Sequence, residues 1–240
     1  MVNKINVGTL ISGGGTNLQA IIDACLDNKI DANILFTGSD NPGVKGLERA
    51  EKAGIETFVV DYSKIIGSLK EEGIKDSDLP YDFNFNEILS KQQLVETGSS
   101  KEQVEFFLKS RAIAEKKLLD IILGYDMDLL VLAGFMRVLT PYFIDRINKE
   151  PGTYKIMNIH PALLPSFPGT DGYGDTLRYG CRIGGCTVHF IDYGEDTGPI
   201  IGQKAFEIDD TDTLDDIKKK GLEKEWQLYP ECIQKFADSL

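Results

Sequence analysis

The sequence predicts an α/β fold built on a mainly parallel sheet, with helices on both faces and antiparallel strands in its C-terminal half. Short apolar runs alternate with segments of helical period through the first half, the order that right-handed crossovers and a parallel sheet require. The run Leu129 to Ala133 is continuously apolar, as strands buried on both faces are. Later strand candidates are joined by a short loop and show the two-residue alternation of antiparallel pairs.

Ile5 to Ile11 is a buried strand entering a glycine cluster, and from Thr16 the residues Leu18, Ile21, Ile22 and Cys25 fall at helical spacing. Ile34, Leu35 and Phe36 mark a second strand, Gly43 to Ala53 a second helix, and Thr57 to Val60 a third strand. Between Ser63 and Lys109 the alternation breaks into charged and turn-rich sequence, and Ser100-Lys101-Glu102-Gln103 forms a capping box before Val104, Phe107 and Leu108. This region has too few apolar residues for a core of its own and reads as an elaborated connection whose aromatics dock on the main body. A helix from about Lys109 to Leu123 precedes the strand Leu129 to Ala133. Ile156, Met157 and Ile159 end another strand, Gly185 to Asp192 and Ile200 to Ile208 are two more, and a helix starts near Thr213 with Asp216 completing a capping box. Pro230 inside that last pattern predicts a kink or a division into two.

Composition excludes several classes of function. A net charge of -12 argues against nucleic acid as a partner, because phosphate contacts need clustered Lys and Arg. No apolar run approaches the ~20 residues of a membrane span. The N-terminus lacks the features of a signal peptide, so the cytoplasm is expected. Cys25, Cys181, Cys186 and Cys232 are dispersed without C-x-x-C spacing, which predicts reduced thiols and no structural metal.

The segment from Met157 to Gly169 concentrates chemistry. Asn158 and His160 stand two apart and so share one face of an extended strand, and Pro161 and Pro165 end its pairing. An amide there can donate to a developing oxyanion, and an imidazole titrates near neutral pH; an Asx-type turn with a capping His is the alternative. Ser12-Gly13-Gly14-Gly15-Thr16-Asn17 passes from strand to helix and suits an anion, or serves only as a tight turn capped by Thr16. Gly134 to Leu139 leaves a parallel strand at its carboxyl end, where Phe135, Met136, Val138 and Leu139 around Arg137 can wall a flat heterocycle or simply pack the core. The acidic loop Gly194 to Pro199 can bring a carboxylate to His160 and raise its pKa. Of the two histidines, His160 is the candidate for proton transfer, and His189 reads as a core residue.

Ser12 to Ala20, Leu130 to Pro141, Asn158 to Gly169 and Gly185 to Ile201 together resemble the phosphoribosylglycinamide formyltransferases, folate-dependent enzymes of purine biosynthesis. The most specific match is Asn158-x-His160-Pro161 with Asp196-Thr197-Gly198-Pro199. The resemblance implies one Rossmann-like formyltransferase domain over 1–240, with a phosphate-binding half at 1–140, a catalytic and folate half at 141–240, and an insertion at 64–108. It implies that Asn158, His160 and Asp196 are catalytic, that Gly15, Thr16, Asn17 and Glu225 bind the ribonucleotide, and that Arg111, Met136, Arg137, Val138, Leu139 and Asp192 line the folate side. The expected reaction is direct formyl transfer from 10-formyltetrahydrofolate to the amine of glycinamide ribonucleotide, without a metal, in a monomer or homodimer. The alternatives are a formyltetrahydrofolate deformylase, a formyltransferase with another amine acceptor, or a catalytically silent binding module. Two departures concern the acceptor side. Thr170-Asp171-Gly172-Tyr173 stands where the family commonly has histidines, and Leu222 aligns with a cation, with Lys219, Lys220 and Lys224 close by.

Overall fold

A computed structural model describes residues 4–94, 98–150 and 152–240. β1 (Ile5–Ile11) pairs in parallel with β2 (Ala32–Ser39), and β2 pairs with β3 (Glu56–Val59). On its other side β1 pairs in parallel with β4 (Leu129–Leu132), which pairs with β5 (Ile156–His160). β6 (Ile183–Phe190) and β7 (Ile200–Glu207) then add antiparallel, giving seven strands in the order β3-β2-β1-β4-β5-β6-β7.

β4 shows why its sequence is apolar without alternation. Leu129 and Val131 face one core layer, with Leu18, Ile21, Leu228 and Ile233. Leu130 and Leu132 face the other, with Leu108, Leu118 and Phe143. The first layer is covered by α1 (Thr16–Leu26), α2 (Lys45–Lys52) and the long helix near the C-terminus, α8 (Leu214–Ala237). The second is covered by α3 (Tyr62–Glu72), α4 (Phe85–Lys91), α5 (Lys101–Ile122) and α6 (Pro141–Asn148). Each fully buried aliphatic chain in these layers contributes about 1.5–3 kcal/mol.

Two expectations about helices are corrected. The capping box at Ser100 opens the same helix that was expected to start near Lys109, because no Gly or Pro intervenes and Val104, Leu108 and Leu118 extend one apolar stripe. Pro230 does not divide α8, since Leu228, Tyr229, Cys232 and Ile233 are buried on both sides of it. The Tyr229 hydroxyl further ties that turn to the Leu132 and Met157 carbonyls.

Other helices escaped the sequence pattern. α3, capped by the Asp61 carboxylate on the Lys64 N–H, and α4, capped by Asn84, lie in the stretch between β3 and β4. Phe83, Phe85 and Phe107 from that stretch pack on the core layer of α5 and α6, while its residues 95–97 lie outside the described residues. α7 (Gly172–Arg178) contains two glycines and owes its place to the burial of Tyr173 and Thr176 rather than to propensity. The four cysteines are free thiols, and no helix among the described residues is long and apolar enough to cross a membrane.

Candidate active site

The chain reverses its direction of sheet growth between β1 and β4, and the carboxyl ends of those strands open the crevice where α/β sheets bind ligands. Two hydrogen bonds span the switch point. The Ser12 N–H donates to the Gly134 carbonyl at 2.9 Å, and the Met136 N–H donates to Ser12 Oγ at 2.7 Å. The loop after β4 thereby forms one wall of a cleft, with Met136, Arg137, Val138 and Leu139 on it. Asn158 and His160 from the end of β5 form the floor, and Asp192, Glu195 and Asp196 from the loop after β6 form the opposite wall.

His160 is buried, 3% exposed, yet polar groups meet both its ring nitrogens. Nδ1 lies 3.0 Å from Asp196 Oδ2, and Nε2 lies 2.7 Å from the Phe167 carbonyl oxygen. A carbonyl and a carboxylate can only accept, so this setting favours a proton on both nitrogens, the imidazolium form. Burial opposes that charge, but the hydrogen bond and charge of Asp196, with the Phe167 carbonyl, overcome it and raise the His160 pKa above its ordinary value. Burial also opposes ionisation of Asp196, but hydrogen bonds from His160, His189 and the Gly169 N–H hold its carboxyl well below the usual range. Asp196 takes a left-handed backbone (φ 55°) to present its carboxylate there.

His189 enters this site through the antiparallel register, which pairs it with Asn158 across β5 and β6. Fully buried, it places Nε2 3.4 Å from Asp196 Oδ1 and 3.5 Å from Asn158 Nδ2, with Nδ1 2.9 Å from the Phe190 carbonyl. The sequence gives it the look of a core residue because alternation alone cannot say which residue faces it across the sheet. Thr187, two residues earlier, accepts from the Leu164 N–H and donates to the Ala162 carbonyl, anchoring the loop that follows His160.

A second cluster gathers at the start of α1. Gly15 adopts φ 68°, and a Cβ there would lie 2.6 Å from Gly46 Cα, so the tight passage from loop to helix demands glycine. Asn17 Nδ2 donates to Glu225 Oε2 at 2.7 Å, and the Tyr173 hydroxyl donates to Glu225 Oε1 at 2.6 Å. With its amide so oriented, Asn17 Oδ1 is left as a buried acceptor without a partner. Burial raises the Glu225 pKa, while those two bonds and the charge of His160 counter it, so the two clusters share one electrostatic field. Arg49 brings a guanidinium to the glycine loop by donating from Nε to the Gly14 carbonyl at 2.9 Å. Lys220 is engaged with Asp209 and Asp212.

The remaining sequence candidates divide. Arg137 reaches from the cleft wall to Asp40, with its guanidinium 5.7 Å from the centre of the Tyr62 ring. Asp192 accepts from the Gly194 N–H at 3.1 Å and the Thr197 hydroxyl at 2.6 Å, which shapes its loop. Arg111 does not line the cleft. It packs over Tyr62 and Phe107, with Nη1 buried and unpaired. No cluster of His, Cys, Asp and Glu among the described residues is arranged to hold a metal.

Against known proteins, residues 5–233 match the family model described as formyl transferase. The chain is 33% identical over 234 residues to the phosphoribosylglycinamide formyltransferase of Escherichia coli, covering 98% of this chain and 88% of that protein. The chain belongs to the phosphoribosylglycinamide formyltransferase family. It is also 34% identical to the trifunctional purine biosynthetic protein adenosine-3 of Gallus gallus, but spans only 19% of that protein's length. Among solved structures it resembles a glycinamide ribonucleotide transformylase from Symbiobacterium toebii, with a TM-score of 0.73 and 32% identity, covering 100% of this chain and 90% of that one. The match to this family includes its Rossmann-like, mainly parallel sheet with antiparallel C-terminal strands.

Proposed function

We propose that the chain transfers the formyl group of 10-formyltetrahydrofolate to the primary amine of 5'-phosphoribosylglycinamide in purine biosynthesis. The observation that carries this reading is the pairing of His160 with Asp196 in a largely apolar cleft that the Asn158 side chain also lines. The pterin ring of the donor lies against Met136, Val138 and Leu139, with the loop from Asp192 to Asp196 opposite. The phosphate of the acceptor takes the backbone N–H groups at the start of α1, where the helix dipole and Arg49 favour an anion. Its ribose hydroxyls meet two acceptors, the unpaired Asn17 Oδ1 and the spare lone pairs of Glu225.

The amine attacks the formyl carbon directly and generates a tetrahedral oxyanion. Asn158 Nδ2 donates to that oxygen, and the charge of His160 stabilises it in a site screened from water. In the structure His160 Nε2 already donates to the Phe167 carbonyl, so the oxyanion competes with that carbonyl for the same proton. Asp196 sustains the imidazolium and relays a proton, through water, from the attacking nitrogen to the leaving folate nitrogen. Positioning both substrates in one cleft removes their encounter entropy from the barrier.

The test follows loss of the formyl group from a 10-formylfolate spectrophotometrically, with and without glycinamide ribonucleotide. Turnover dependent on the ribonucleotide is expected. Equal turnover without it identifies a hydrolase and overturns the proposal.

A further inference from the structure

The connection between parallel strands β3 and β4 needs only one crossover helix, yet it contains α3, a 3-10 turn at Asp76–Asp78 and α4 in addition to α5. The added chain is not idle surface. α4 packs against α5 and α6, and just before it Asp82 pairs with Arg146 at 2.6 Å and accepts from the Tyr142 hydroxyl at 3.1 Å. From this platform the end of α4 reaches the loop that walls the cleft.

Tyr193 is the point of contact. It sits between Asp192 and Gly194 and three residues before Asp196, all of which line the cleft. Its carbonyl accepts from the Gln93 N–H at 3.0 Å, one residue beyond the C-cap of α4. Its hydroxyl donates to Asp145 Oδ1 on α6, and the other oxygen, Asp145 Oδ2, accepts from Lys91 Nζ at 2.8 Å. Lys91 is steadied in turn by Glu87 at 2.7 Å, one turn earlier in α4. The Tyr193 ring packs against the same apolar layer as Phe83 and Phe85. Burial and the Asp145 carboxylate push the Tyr193 pKa up to about 12, so the hydroxyl remains a donor at neutral pH.

On its inner side the loop has no sheet partner at Asp192–Asp196. Its position depends on its own turn bonds, on the contacts of Asp196 with His160, His189 and the Gly169 N–H, and on the grip from α4 and α6.

We propose that residues 82–94 form a brace that holds the loop Asp192–Asp196 in place for the formyl donor, with Tyr193, Asp145 and Lys91 as positioning residues. The inference rests on the reading of the cleft as the donor site. It predicts an asymmetry, because the brace grips the donor wall and touches none of Gly15, Asn17, Tyr173 or Glu225 on the acceptor side.

The test is Tyr193→Phe, which keeps the ring and deletes the hydrogen bond to a charged acceptor. The expected result is a KM for 10-formylfolate raised about tenfold with the KM for glycinamide ribonucleotide within about twofold of wild type. Lys91→Met acts in the same direction and, combined with Tyr193→Phe, gives less than the sum of the two effects, since both work through Asp145. Hydrogen–deuterium exchange of intact protein provides the arm that needs no turnover. Peptides spanning 191–198 exchange faster in Tyr193→Phe, while those of β5 are unchanged. Equal rises in both KM values with a lowered melting temperature, or unchanged exchange at 191–198, overturn the brace. If wild-type protein does not consume the donor in a ribonucleotide-dependent way, the functional reading fails while the exchange comparison still decides the brace.

Discussion

Replacing Asp196 by Asn removes one charge and almost no volume. The carboxylate lies 3.0 Å from His160 Nδ1, and the two side chains are only 11% and 3% exposed, so water screens the pair little. The amide oxygen of Asn can still accept from Nδ1–H, so ring orientation survives, while the ionic part and the hydrogen bond from His189 to the other oxygen are lost. A hydrogen bond to a charged group nets about 1.5–3 kcal/mol, against roughly half that or less between neutral partners. Without the carboxylate's charge the His160 pKa falls. Burial, already opposing the charged form, then dominates. Loss of the imidazolium and of the relay together should depress kcat on the order of 10²–10⁴-fold, with both KM values changed by about threefold or less. The assay is kcat against pH, paired with an NMR titration of the imidazole signals. The chain has two histidines, so His160→Gln assigns them by loss of one. Turnover near wild type, or a His160 signal titrating at an unchanged pH, would refute the argument that Asp196 sustains the charge.

Asn158→Ala deletes the amide donor and should cost on the order of 10²–10³ in kcat with donor binding nearly intact; undiminished turnover removes Asn158 from the oxyanion site. Gly15→Ala forces a Cβ into Gly46 Cα at 2.6 Å on a φ 68° backbone, so thermal unfolding should show a loss of about 2 kcal/mol or more, and wild-type stability would contradict the close approach. The His160–Asp196 pair has two linkage limbs. Its histidine part is complete below the unfolded pKa near 6.5 and is lost as pH rises through the raised folded value, and its carboxylate part is complete above about 4 and is lost as pH falls towards the depressed one. Asp196→Ala should therefore lose most stability between about pH 4 and 6.5, and an equal loss at all pH values would contradict the pairing. Glu115, wholly buried and bonded to the Thr140 N–H and hydroxyl, has its pKa pushed up to about 7, chiefly by burial. Its folded state binds the extra proton, so stability falls as pH rises from about 4.5 to 7, and Glu115→Gln should flatten that slope in chemical denaturation; an unaltered slope would exclude Glu115 as its source.

Much of this protein was legible from local pattern. The uninterrupted apolar run of β4 reports burial on both faces, and the alternation through β6 reports an antiparallel partner. Asn158 and His160 share a strand face because strand periodicity is local and rigid. The capping boxes at Ser100 and Thr213 form as written, since each is closed within four residues. Patterns failed where tertiary contact outweighed local preference. Pro230 lies within a continuous helix because both flanking turns are buried, and α7 forms around a buried tyrosine despite its glycines.

The sequence by itself determined the order of the strands, the helices α1, α2, α5 and α8, and the polar candidates Asn158, His160 and Asp196. Only the tertiary structure decided that His189 stands opposite Asn158, that the Phe167 carbonyl meets the His160 ring, that Arg111 packs on the Tyr62 and Phe107 rings, and that Tyr193 is gripped from α4 and α6. The first set follows from torsion angles and periodicity within a few residues. The second depends on strand register and loop approach between distant segments, where the free energy resides in burial and pairing that no short window of sequence contains.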